Sequence, residues 1–399
     1  MQRCPGLNRP VGSRKPLLIA NHPMRILFSR TSHAVAAAAI AAAFTSGCAA
    51  AEYYVVTPMP GAKSPVTQEP NIEINLAGAL LPTAWAGVAY SHDFKPYVTV
   101  LGDPELDPDA ISLSAPMIPQ GLLMDSFGML DGVPTTVGPT QLTVQAHYRD
   151  QVVERSYGLQ VSKQVKQAGA SRTWSDGTLA RSCLDYRTDR DGQAYQGAIG
   201  DGVYRIDIPS LGAVDVLCDM TTDGGGWTVF QARRDGSVDF LRDWNAYAQG
   251  FGTAQGEHWL GNDRISVMTS AGAELRIDMT RFTGEQAYVR YSTFTVEGPE
   301  TGYRLTAVGH SGSVGDSLLP HSGMAFSTID RDNDARPDES CVERYKGAWW
   351  HRTCHQSNLN GLYHGPGVAP YGTGVIWQSF TGYTESLKSS TMKFRERSR

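Results

Sequence analysis

Short apolar runs alternate with polar turns between residues 71 and 163: Ile72-Glu73-Ile74, Tyr97-Val98-Thr99-Val100, Ile111-Ser112-Leu113, Leu142-Thr143-Val144 and Tyr157 through Val161. Asp103-Pro104, Asp131-Gly132 and Gly138-Pro139 punctuate them. Strands recurring at such intervals predict a small all-β sandwich over 71–163. Residues 48–70, rich in Ala, Pro and Thr, read as a tether, and residues 164–180, polar and without an apolar period, read as a linker. From Cys183 the chain becomes dense in Trp, Tyr and Gly, which marks a second module over 181–397. The sequence contains no heptad run and no Gly-X-Y repeat, so neither a coiled coil nor a collagen stalk is available for oligomerisation.

The amino-terminal pattern is different. Arg25 and Arg30 precede an unbroken apolar run from Ala34 to Phe44, eleven residues long. A helix that rises about 1.5 Å per residue cannot cross a hydrocarbon core of about 30 Å with so few residues. The run fits the core of a secretory signal peptide over 24–47. Thr45-Ser46-Gly47-Cys48 resembles the lipobox of bacterial lipoproteins, which would make Cys48 an acylated first residue; ordinary cleavage among Ala49, Ala50 and Ala51 is the alternative. Residues 1–23 read as an upstream extension. Either cleavage carries the chain out of the cytoplasm, to a bacterial cell envelope or surface, with the membrane reached through the lipid anchor alone.

Composition narrows the function. Thirty-five basic against forty acidic residues give a net charge of −5, which removes the electrostatic footprint of a nucleic-acid binder. Glycine supplies 42 of 399 residues, a loop-rich composition. Four of the six cysteines, Cys183, Cys218, Cys341 and Cys354, fall in the second module. An even number in an exported chain reads as two disulfides, whereas a four-thiolate zinc site would need close CxxC pairs that are absent. Catalytic motifs are missing too: Gly309-His310-Ser311-Gly312-Ser313 ends in Ser where a nucleophile elbow needs Gly, and the chain has no HExxH, P-loop or dinucleotide fingerprint. The sequence reads as that of a binding protein, not an enzyme.

Two stretches carry family resemblances. LPTAWAGVAYSHDF at 81–94 and GLLMDSFGMLDGVPTTVGPTQLTVQAHYRD at 121–150 resemble the immunoglobulin-like modules of bacterial surface proteins, which serve as spacers or adhesive stalks. In the second module, DGGGWTVFQARRDGSVDF at 223–240, GEHWLGND at 256–263, GDSLLPHSGMAFSTIDRDND at 315–334 and GAWWHRTCHQSNLNGLY at 347–363 follow in an order that resembles the fibrinogen C-terminal domain of fibrinogen chains, ficolins and tachylectins. That resemblance implies an α+β fibrinogen C-terminal-like globular domain with a twisted antiparallel sheet and long ordered loops, preceded by the all-β immunoglobulin-like sandwich. It also implies the pairings Cys183–Cys218 and Cys341–Cys354.

Asp330, Asp332 and Asp334 alternate within five residues, a self-repelling set unless a cation neutralises it. On composition alone a solvated acidic loop is the favoured reading. An EF-hand fails because Pro337 stands where the loop needs Gly. The family resemblance implies Ca2+ held by Asp332 and Asp334 with backbone carbonyls of Arg336 and Asp338. It further implies a pocket for an acetyl group lined by Tyr345, His355, Tyr371 and Tyr383, with Gly372 where relatives often carry Ala. Backbone N–H groups around Cys354 would be displayed there by a cis Thr353–Cys354 bond. Acetylated glycans are the implied partners, and the alternative is a protein on a host or neighbouring cell. An imidazole with an ordinary pKa near 6.5 leads to the expectation that His355 weakens binding near pH 5.

Overall fold

A computed structural model describes residues 71–188, 195–196 and 200–397 of the chain. The upstream extension, signal peptide, tether and Cys48 lie outside the described residues.

The first module is built of strands alone, apart from two short 3-10 turns. Three strands carry the main ladder: β1 (Ser112–Met117), β2 (Gly138–Tyr148) and β3 (Gln151–Ala168). On β2 the alternation is strict, with Leu142, Val144, Ala146 and Tyr148 buried and their neighbours facing outward. That period of two is what a sheet with one covered face requires. Opposite them on β3, Tyr157, Leu159 and Val161 close the same core, and Phe94 packs edge-on against Tyr157 at 5.0 Å.

Of the linker expected at 164–180, residues 164–174 are instead a strand hairpin. Strand β3 continues to Ala168, turns at Gly169, and returns as β4 (Ser171–Trp174), paired antiparallel from Ser171↔Ala168 to Trp174↔Val165. The polar side chains that hid this strand hydrogen-bond across it. Lys166 Nζ donates to the Ser175 carbonyl at 2.5 Å, and Gln167 Nε2 donates to the carbonyls of Gly169 and Ser171.

The second module continues with β5 (Gly202–Ile208), β6 (Gly212–Asp219), β7 (Trp227–Arg233), β8 (Ala273–Thr280), β9 (Gln286–Val296), β10 (Leu305–Gly312) and β11 (Ser389–Glu396). Hydrogen bonds order them β10-β9-β8-β11-β7-β6-β5-β4-β3-β2-β1, one ladder running through both modules. Every residue of β7 is buried, so both faces of that strand are covered. On β8 the pattern alternates, with Ala273, Leu275, Ile277 and Met279 inside. Helices are few and short among the described residues, the longest being Asn262–Thr269. This core, which includes Phe230, Trp259 and Trp350, is separate from that of the first module. Beyond β10, residues 313–388 form mainly irregular loops, and they carry every candidate binding residue.

Candidate functional site

Two disulfides are formed, Cys183–Cys218 with a Cα–Cα distance of 5.6 Å and Cys341–Cys354 with 5.1 Å. The second joins helix α1 (Cys341–Tyr345), capped by the Ser340 side chain on the Glu343 N–H, to the loop that holds His355.

Of the three aspartates at 330–334, Asp330 has a structural task. Its Oδ1 accepts from the Trp244 N–H at 2.8 Å and from Thr328 Oγ1 at 2.7 Å. The other two face each other across a tight turn. Asp332 Oδ1 accepts from the Asp334 N–H at 3.1 Å, and Asp334 accepts from the N–H groups of Arg336 at 2.7 Å and Cys341 at 2.8 Å. Neither carboxylate belongs to an ion pair among the described residues; the Arg336 guanidinium turns instead to Glu339 at 3.1 Å. Burial and the nearby Asp332 charge hold the Asp334 carboxyl above the usual carboxylate range. Asp338 is exposed, and the described residues contain no cluster of three or more His, Cys, Asp or Glu side chains arranged to hold a metal. A cation here would therefore take two carboxylates and backbone carbonyls, an oxygen set that suits a hard ion.

The aromatic residues converge. Tyr345 packs edge-on against His355 with ring centroids 4.8 Å apart, His355 lies 5.9 Å from Tyr383, and Tyr371 lies 5.0 Å from Tyr383. Gly372 is their shared floor. Its N–H donates to the Tyr383 carbonyl at 2.7 Å, and its carbonyl accepts from His355 Nε2 at 3.0 Å and Asn358 Nδ2 at 3.4 Å. It has φ +74°, and a Cβ there would sit 2.7 Å from the Tyr345 ring, so glycine is required twice over. Tyr371 remains 61% exposed and forms the outer wall.

Two expectations fail in this loop. The Thr353–Cys354 peptide is not cis, since no described peptide bond is; the chain turns instead by placing Cys354 at φ +77°. Thr353 itself is exposed. The second failure concerns His355, whose imidazole is pushed down to about 3, by burial first and then by the neighbouring His351. An imidazole held that low offers no charge change between pH 5 and 7.5, which argues against its serving as the acid-sensitive switch. With Nε2–H given to the Gly372 carbonyl, its Nδ1 is buried without a partner.

Residues overlooked in the sequence hold the loop from behind. His321, fully buried, donates from Nδ1 to the Trp350 carbonyl at 2.7 Å and accepts at Nε2 from the N–H groups of Gln356 and Ser357, both at 3.2 Å. One imidazole thus grips the chain on both sides of Cys354. No local signal around Leu319-Pro320-His321 marks the histidine as buried. Ala335 ties the acidic loop to the same segment by donating to the Arg352 carbonyl at 2.8 Å.

Comparison with known proteins places these elements in context. Residues 186–397 match the family model described as fibrinogen beta and gamma chains, C-terminal globular domain. Human Fibrinogen C domain-containing protein 1 is 51% identical over 206 residues, covering 50% of this chain and 44% of that protein. The Xenopus laevis protein 1-A of the same name is 46% identical over 230 residues, covering 56% of this chain and 49% of the relative. The chain thus spans less than half the length of these curated relatives. Among solved structures, the fibrinogen-like globe domain of human ANGPTL2 superposes with a TM-score of 0.51 at 35% identity, covering 54% of this chain and 99% of that domain.

Proposed function

Because this chain belongs to the family of fibrinogen C-terminal globular domains, we propose that residues 181–397 form a calcium-stabilised, lectin-like receptor for acetylated groups on glycans, without catalytic activity. The observation that carries this reading is the convergence of Tyr345, His355, Tyr371 and Tyr383 over Gly372, beside the Cys341–Cys354 bridge. A methyl group enclosed by aromatic faces gains about 0.8 kcal/mol per carbon from burial, and a carbonyl oxygen beside it needs donors. The backbone N–H groups of Cys354 and His355 have no hydrogen-bond partner among the described residues and supply them.

Asp332 and Asp334 would hold the calcium ion, with the carbonyls of Arg336 and Asp338 completing the set. Bound there, a cation would offset the mutual repulsion of the two carboxylates. Its influence on the pocket runs through this chain's own bonds: Asp334 fixes the Cys341 N–H, and Cys341 is bonded to Cys354, next to His355.

In the same reading the amino-terminal module is an immunoglobulin-like spacer, and the chain is exported and held at a bacterial cell surface through an acylated Cys48. One such pocket binds weakly, and clustering on a membrane supplies avidity. A second reading, adhesion to a protein on a host or neighbouring cell, draws support from Val368, 90% exposed on the loop that leads to Tyr371. Screening the purified chain against acetylated and deacetylated sugars, with calcium and with chelator, tests the proposal. Equal binding to both sugar sets would reject it.

A further inference from the structure

The family match begins at residue 186, yet the ladder of the second module begins earlier in the chain. Strand β5 would otherwise be an open edge, with unpaired backbone groups that invite association. Here β4 lies along it in parallel, with Arg172 opposite Tyr204, and Ala180 bridges to Ile206. Arg172 clamps the same edge from its side chain. Nη1 donates to the carbonyls of Gly200 at 2.7 Å and Asp201 at 3.0 Å, and the guanidinium lies 5.2 Å from the Tyr204 ring centre. Trp174 completes the contact, its ring 4.8 Å from Tyr186 in the second core.

The same hairpin is equally tied to the first module. Ser175 Oγ donates to the Ala86 carbonyl at 2.6 Å in a buried setting, and the Ala86 N–H donates to Ser162 on β3 at 2.9 Å. Gly87, at φ +73°, lies so near the backbone of Ser175 and Asp176 that a Cβ would sit 2.6 Å from it. Lys163 pairs with Asp176 at 3.3 Å. Val161 packs in the first core and Val165, on the same strand, in the second.

We propose that the β3–β4 hairpin is an internal docking surface that fits the open edge of β5, and that it joins the two modules into one rigid body. The binding unit of this chain then begins before Cys183, and the candidate pocket keeps a fixed orientation relative to the amino-terminal half. This holds whatever ligand the pocket takes.

Double electron–electron resonance on the full chain tests it. Spin labels are placed at Leu123→Cys and Val308→Cys, both exposed positions on opposite modules, with Cys4 and Cys48 replaced by Ser. A single narrow distance distribution is expected, and a broad one overturns the proposal. A flexible Gly–Ser insertion after Gly177, which is exposed with open space around it, separates docking from mere covalent connection. Docked modules keep the same narrow distribution after insertion. Broadening would mean that the connecting chain alone set their orientation, and it would overturn the proposal even if the uninterrupted chain is rigid.

Discussion

The Asp334 carboxylate accepts the backbone N–H of Cys341 at 2.8 Å, and so the acidic loop and the disulfide that frames the candidate pocket share a hydrogen bond. The link from residue 334 to Cys354 is thus one hydrogen bond and one disulfide long, with His355 next in the chain.

If Asp332 and Asp334 hold the proposed calcium ion, Asp334→Asn should remove any stabilisation that calcium gives. A ligand present at a hundredfold excess over its dissociation constant stabilises the folded state by about 2.7 kcal/mol, and this increment should vanish in the variant. Melting curves with calcium and with chelator measure it. A calcium-dependent shift unchanged in Asp334→Asn would remove the site from this loop.

Gly372→Ala should displace Tyr345 and destabilise the domain. A left-handed alanine costs about 1–2 kcal/mol, and its Cβ would meet the tyrosine ring at 2.7 Å. Acetyl-sugar affinity should fall at least about tenfold, which corresponds to about 1.4 kcal/mol of lost binding. Titration calorimetry on the folded variant measures the affinity, and its melting curve measures the destabilisation.

Tyr371→Ala separates binding from folding. At 61% exposure the side chain contributes little to the core, so the melting temperature should stay close to wild type. Binding should nonetheless be lost if the pocket takes an acetyl group, and retained if a broad protein surface is the ligand.

The pH dependence should appear in stability and not in His355-controlled affinity. His321 and His355 are lowered to about 3 and His351 to about 4, burial being the first cause for each. Below pH 6.5 the unfolded chain therefore binds more protons than the folded one, and stability falls as the pH drops toward 4. Each such histidine contributes a slope of at most about 1.4 kcal/mol per pH unit. Acetyl-ligand affinity should be flat between pH 5 and 7.5; a decline matched to one imidazole titrating there would contradict this.

Motifs in the second module were legible because they are dictated by local chemistry: paired cysteines, glycines at sharp turns and tryptophans that must be buried. Long-range partners were less legible. Residues 164–180 read as a linker because they are polar and lack an apolar period, yet a strand at a module junction can use side chains such as Lys166 and Gln167 to bond neighbouring backbone. His321 was invisible for a related reason, since its partners at 350, 356 and 357 are distant in the chain. The turn at Cys354 came out differently because a positive φ at one residue redirects the chain as effectively as an inverted peptide bond.

Strand β11 lies between β7 and β8 in the sheet, although its residues follow all the other strands in the sequence. Its pairings span long stretches of chain, from Thr228 to Phe394 for example. During synthesis the middle of the sheet must therefore wait for residues 389–396, and the loops it supports cannot settle until those residues have emerged. Biogenesis of the pocket is thus a late event, and a nascent chain lacking residues 389–396 would expose a divided, aggregation-prone core.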